Sequence, residues 1–255
     1  MLVKNWMKTP VITIDQNDSM QEAIKLLKEH NIRILPILKK GKLTGIVTDR
    51  DLKKASASDA TTLDVHELIY LTSKIKVRQI MIQDVITIPF DYTIEETAEV
   101  FLQNKISGAP VLDKEGKMLG IITQSDLFRV LISLTGIEKR GIQLAFKLED
   151  RPGSIKEVAD IIRKYNARMV SILTRYEGVP EGYRNMYMRV YQVNREGLPE
   201  LLAALKEKAT MLYMVDHRED KRELFRSYNQ NKGKMTNRRV IRMQGGKLSE
   251  GLSDR

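Results

Sequence analysis

The stretch Gly-Ile-Val-Thr-Asp-Arg-Asp-Leu, from Gly45 to Leu52, returns 75 positions later as Gly-Ile-Ile-Thr-Gln-Ser-Asp-Leu, from Gly120 to Leu127. Working upstream, Ile34-Leu35-Pro36 meets Gly108-Ala109-Pro110, and Ser19-Met20-Gln21-Glu22 meets Thr93-Ile94-Glu95-Glu96. Val11 to Ile14 meets Val85 to Ile88, and Lys4 to Met7 meets Arg78 to Met81, all at an offset of 74. The offset grows by one because the turn after the second proline holds one extra residue. Flanks that match on both sides of one inserted turn residue are what duplication of a folded unit leaves behind.

Each copy reads as β-α-β-β-α. Val11 to Ile14 is rich in β-branched residues and predicts a strand, as does Val85 to Ile88. Ser19 and Thr93 each stand three residues before a Glu, the capping-box signature of a helix start. Apolar residues then recur at helical spacing, with Met20, Ala23, Ile24 and Leu27 in one copy and Ile94, Ala98, Phe101 and Leu102 in the other. Ile34–Leu38 and Leu43–Val47 flank a Lys-Lys-Gly-Lys turn, giving a hairpin. The second copy repeats it with Val111-Leu112 and Met118 to Ile122, and a further helix starts near Asp51 and Asp126.

The order strand, helix, hydrophobic-Pro, hairpin, G-h-h-T-x-x-D resembles tandem cystathionine-β-synthase-type (CBS) domains, over roughly residues 1 to 132. The resemblance implies two copies packed about a pseudo-twofold axis, with clefts for adenosine-containing ligands: AMP, ADP, ATP, S-adenosylmethionine and sometimes NAD. It assigns the ribose hydroxyls to Asp51 and Asp126, and a position facing the phosphate to Thr48 and Thr123. Pro36, Ala109 and Pro110 belong to the same implied site. Arg33 and Arg50, where the second copy has Ser107 and Ser125, add positive charge that favours phosphates at the first site.

Elementary chemistry agrees. A helix N-terminus offers unpaired N–H groups and a partial positive charge, which suits phosphate. An ionised Asp is an acceptor on both oxygens and fits a vicinal diol. The same Thr and Asp, three apart, could instead form a capping box with Asp in place of Glu.

A different pattern follows Leu134-Thr135-Gly136. Ile142 to Leu148 alternates as a half-buried strand, and Glu149-Asp150-Arg151-Pro152-Gly153 is a turn. Ser154 is placed to cap a helix whose apolar side holds Ile155, Val158, Ala159, Ile161 and Ile162. Strands at Met169–Thr174 and Met186–Val193, a helix at Leu198–Lys208 and a strand at Thr210–Val215 complete β-α-β-β-α-β, the ferredoxin-like split motif. The segment resembles an ACT domain, which implies an amino-acid or other small-molecule site at the loop Asp150, Arg151, Pro152, Gly153 and Ser154. Many ligand-binding ACT domains carry an Asn at the start of the second strand; here that position holds Arg168, with Asn166 two residues earlier. Two CBS copies followed by one ACT domain look like the acetoin-utilisation B-type regulatory family.

The expected organisation is therefore CBS domain 1 at 1–60, a linker helix at 61–76, CBS domain 2 at 77–134, an ACT-like domain at 140–217 and a basic, flexible tail at 218–255. The tail from Arg218 carries 11 Lys and Arg against 5 Asp and Glu, so it holds most of the chain's net charge of +10. Its Lys232, Lys234, Arg238, Arg239 and Arg242, near Phe225 and Tyr228, offer nucleic acid as an alternative partner. No base-reading element accompanies them, so nucleic acid is not the expected partner.

Zero cysteines exclude disulfides and thiolate chemistry. His30, His66 and His217 are scattered, so no metal site is expected. Without a nucleophile elbow, Walker loop or Rossmann fingerprint, the reading is a regulator and not an enzyme, with no catalytic cofactor. Trp6 and most of the twelve methionines read as packing residues. No signal sequence or run of roughly 20 apolar residues points to export or a membrane, so a cytoplasmic protein is expected. A homodimer is expected too, acting on a regulated protein the sequence does not name.

Overall fold

A computed structural model describes residues 1–57, 70 and 72–225. It divides into two units, Met1–Leu134 and Thr135–Arg255.

The first unit holds the duplication as two small sheets. One has the order β1 (Ile14–Asp15), β2 (Ile34–Lys39), β3 (Lys42–Thr48), with α1 (Met20–Glu29) and α2 (Asp49–Ala57). Its counterpart has β4 (Ile88–Pro89), β5 (Gly108–Leu112), β6 (Met118–Thr123), with α3 (Ile94–Asn104) and α4 (Gln124–Thr135). The first strand of each copy is shorter than its β-branched run suggests. Ile46, opposite Pro36, gives its N–H to Ile82, so the Pro36 nitrogen faces the β1 side, where it has no proton to donate. Parallel pairing therefore starts one residue later, Ile14 with Ile37, and after Pro110 likewise Ile88 with Val111.

The two copies exchange their leading segments. Val3 gives its N–H to the Tyr92 carbonyl and Lys4 to Phe90, while Val77 gives to Asp18 and Arg78 to Gln16. Val3 is fully buried in the core around Ile88, Phe101 and Val111, and Val77 in the core around Met20, Leu35 and Ile37. Residues 1–8 thus complete the second copy and 75–82 the first, so neither 1–60 nor 77–134 closes its core alone. Trp6 packs against the second core, as its apolar ring predicts. The exchange explains both glycines of the repeated motif. A Cβ on Gly45 would lie 2.7 Å from Met81 Sδ and 2.9 Å from the Ile82 carbonyl oxygen. On Gly120 it would lie 2.5 Å from Met7 Sδ and 3.0 Å from the Lys8 oxygen.

Helix α1 buries Met20, Ala23 and Leu27 as its spacing predicts, with Ser19 accepting from the Glu22 N–H. Helix α3 has the full capping box of Thr93 and Glu96, yet its buried stripe is Ile94, Thr97 and Phe101. Ala98 is only partly buried and Leu102 is 76% exposed, against the expected face. The i, i+3, i+7 stripe brings Thr97 inward, and its hydroxyl is satisfied by donating to the Thr93 carbonyl at 2.8 Å.

The second unit is β7 (Ile142–Glu149), α5 (Ser154–Lys164), β8 (Arg168–Arg175), β9 (Tyr183–Tyr191), α6 (Leu198–Lys208), β10 (Thr210–Asp216) and β11 (Lys221–Leu224). Its sheet runs β11-β10-β7-β9-β8, the split βαββαβ order with one strand added at the edge. Leu144, Phe146, Met186, Met188, Val158, Ile162, Leu201 and Leu205 form the core between sheet and helices. The sheet continues past residue 217: Lys221–Leu224 pairs with Tyr213–Asp216, and Phe225 packs on the core. The first residues of the expected tail are therefore part of the fold. Most of the expected linker helix and the basic cluster Lys232–Arg242 lie outside the described residues. Among the described residues, no helix is long and apolar enough to cross a membrane.

Candidate functional site

The repeated motif turns the end of a strand into the start of a helix in both copies. Thr48 closes β3, and Asp51 sits in the first turn of α2. The Thr48 N–H and hydroxyl both donate to Asp51 Oδ2, at 3.0 and 2.5 Å, and the Asp51 N–H returns to Thr48 Oγ1 at 3.3 Å. In the second copy the Thr123 N–H and hydroxyl donate to Asp126 Oδ2 at 2.9 and 2.5 Å. The capping box that the residue types allow is thus reciprocal in the first copy, while in the second the recorded bonds run from Thr123 to Asp126.

What distinguishes them is the other carboxylate oxygen. Asp51 is partly exposed, and its Oδ1 takes no hydrogen bond among the described residues. Asp126 is 1% exposed, and its Oδ1 accepts from Arg129 Nη1 at 3.0 Å. The matching position in the first copy is Lys54, which is exposed and makes no ion pair with Asp51. Arg129 escaped the sequence reading because it stands outside the motif. Its signal is simple: a cation three residues beyond an acid on a helix, facing it.

Of the other expected site residues, Arg33 and Arg50 are exposed, near the start of β2 and in the first turn of α2. Pro36, Ala109 and Pro110 are buried in β2 and β5. They shape the sheet and present no polar side chain. Gly108 is buried against Ile34, whose Cδ1 would lie 2.6 Å from an added Cβ. These equivalent positions, 34 and 108, meet across the two copies.

In the second unit, the loop Asp150–Ser154 departs from expectation at its last residue. The helix N-cap is Gly153, at φ +86°, and Ser154 is the first helical residue. The left-handed backbone at 153 explains glycine there. Ser154 is 5% exposed and accepts from Arg184 Nη2 at 2.9 Å, so it holds an arginine instead of capping the helix. Arg184, on β9, also approaches Asp150 at 3.4 Å and Tyr176 at 3.3 Å, and its Nε is buried without a partner. Sequence reading missed it because strand alternation alone does not say which cross-strand residue reaches a loop. Arg151 forks onto Glu157 with two bonds of 2.9 Å and also bonds Glu149. Bonds from Arg151 and Lys208 hold the Glu157 carboxyl below its ordinary range. The loop and Arg184 border an open cleft of about 620 Å³. Arg168 is exposed at the start of β8, and Asn166 takes a positive φ of 55° in the turn before it.

Among the described residues no group of three or more His, Asp or Glu could hold a metal ion.

The family match falls in the first unit. Residues 3–58 and 77–133 match the CBS domain model. A CBS domain-containing protein of Dictyostelium discoideum is 34% identical over 134 residues, covering 52% of this chain and 92% of that protein. The crystal structure of the CBS domain pair of protein MJ0100, in complex with 5′-methylthioadenosine and S-adenosyl-L-methionine, is 36% identical. It covers 51% of this chain and 95% of that one, with a TM-score of 0.44. A crystal structure assigned to an acetoin utilization protein of Vibrio cholerae is 27% identical, covers 55% and 96%, and has a TM-score of 0.46.

Proposed function

We propose, from the premise that this chain belongs to the CBS-domain family through residues 3–58 and 77–133, that it is a non-catalytic sensor of an adenosine-containing ligand. Asp51 is the leading ribose acceptor, and Asp126 is its counterpart. The observation that carries this reading is the open Oδ1 of Asp51 at the first turn of α2. A carboxylate needed only as a cap would be served by one oxygen; the second is left for a diol. Phosphate would lie toward the N–H groups of the same turn, with Arg50 and Arg33 adding charge. AMP, ADP and ATP are the preferred candidates, with S-adenosylmethionine and NAD as outliers. Melting of the full chain with each of these should show a rise for at least one nucleotide; no shift with any would leave a ligand-free scaffold.

The second unit carries a separate proposal. Its loop at Asp150–Gly153 and Arg184 form an ACT-type site for a small carboxylate such as an amino acid. Arg184 is the anion-binding group, since its guanidinium lines the cleft beside the loop and its Nη1 contacts to Tyr176 and Asp150, at 3.3 and 3.4 Å, are long. Binding of one amino acid from a panel, lost in Arg184→Ala, supports this; a silent panel rejects it. The regulatory output requires a partner protein. A cytoplasmic homodimer belongs to the same proposal, and light scattering at about 29 kDa would contradict the dimer.

A further inference from the structure

Counting acceptor positions separates the two half-sites. A carboxylate offers about four lone-pair sites, two on each oxygen. Thr48 takes two of them at Asp51 Oδ2, leaving two on Oδ1, as many as the two hydroxyls of a ribose need. Thr123 likewise takes two at Asp126 Oδ2, but Arg129 takes one more on Oδ1. One position is left for two hydroxyls. Asp126 is also almost completely buried, whereas the Arg129 side chain that covers it is 59% exposed and free to swing outward.

Resting on the reading of the pair as an adenosine-ligand sensor, we propose that Arg129 is a specificity-determining gate on the second half-site. The ribose diol engages both open positions of Asp126 only when the guanidinium leaves. Arg129 stands one helical turn into α4, so the displaced group stays within reach of a phosphate at the N-terminus of the same helix. A phosphorylated ligand therefore replaces the ion pair it breaks, Arg–carboxylate giving way to Arg–phosphate. Neutral adenosine breaks the pair and returns nothing. The first half-site, with Lys54 turned to solvent, has no such gate and accepts both. The pair thus fills in order: the Asp51 site responds to any adenosine ligand, the Asp126 site to phosphorylated ones.

The test is calorimetric titration of adenosine and of AMP into the full chain and into Arg129→Met, which keeps an apolar stem of similar length. Asp51→Asn in both backgrounds isolates the second site, and circular dichroism confirms the fold. In the Asp51→Asn background, Arg129→Met should tighten adenosine about fivefold, the scale of one partly exposed ion pair, while AMP stays level or weakens. Adenosine affinity unchanged by Arg129→Met, or lowered by the same factor as AMP, overturns the gate and leaves the sensor reading intact. If neither ligand binds any of the four proteins, both the gate and the sensor reading fall. Arg129→Gln, equally uncharged, should reproduce the Met result; a divergence between the two would assign the effect to packing and overturn the gate.

Discussion

The two copies of the duplicated unit share their strands, their bulge positions and their exchanged leading segments, yet they treat one aspartate in opposite ways. Asp51 keeps an oxygen open at a partly exposed helix start, and Asp126 is buried under an arginine. Duplication preserves what the backbone needs: the glycine that lets a neighbouring segment approach, the proline after which parallel pairing starts, the Thr–Asp cap. It leaves side chains one turn further along free to diverge. A motif match therefore identifies where a ligand group could sit, while its neighbours decide whether the position is open.

That contrast can be broken most directly by deleting each carboxylate. Asp51→Ala should weaken AMP binding by about 1.5–3 kcal/mol, or roughly 10- to 150-fold. Asp126→Ala should cost less affinity but still lose a helix cap, about 0.5–2 kcal/mol of stability on melting. Equal effects of the two substitutions on AMP affinity would erase the asymmetry.

What the copies share can be tested next. Gly120→Ala and Gly45→Ala should each destabilise the first unit by about 1–3 kcal/mol through overpacking against Met7 and Met81. Urea melts of the two variants should agree with each other within that range, because the exchange is reciprocal. A neutral result at either position would mean the leading segment yields there.

Smaller effects come from caps and from the second unit. Thr93→Ala should cost about 1 kcal/mol, since it removes the acceptor for the Glu96 N–H. In the second unit, burial, with the charges of Arg189 and Arg222, holds the His217 imidazole below its ordinary value of 6.5. The unfolded chain then takes up its proton at a higher pH than the folded one. The contribution of His217 to stability is complete above about pH 6.5 and is lost as the pH falls through the window below. Melting temperatures between about pH 7.5 and 5.5 should decline less steeply in His217→Gln than in the wild type. Parallel slopes would remove His217 from the pH response.

Much of this architecture was legible because it follows from periodicity and from residues with few conformational choices. The βαββαβ order of the second unit is read off the alternation at Ile142–Leu148 and the helical spacing at Val158 and Ile162. The exchange of residues 1–8 and 75–82 was not legible. Val3 and Val77 look like members of their own copies, and only tertiary packing decides which core they enter. Leu102 misled for the opposite reason, because Thr97 satisfies its hydroxyl inside the helix and can replace an apolar residue at the core. β11 was hidden by composition: Lys221-Arg222-Glu223 reads as solvated tail, yet an edge strand with an exposed face tolerates such charge. The T-x-x-D positions were visible, but the state of their second oxygen depends on a side chain that the motif does not include.

The role of Asp51 is measured most directly by titration of AMP into wild-type protein and Asp51→Ala, with melting curves recorded alongside. Binding to the wild type should be saturable, with a loss of roughly 10- to 150-fold in Asp51→Ala. That loss would come with no more than the modest drop in stability expected for one helix cap. Equal AMP affinity in the two proteins, with only the melting temperature lowered, would contradict it and make Asp51 a cap and nothing more.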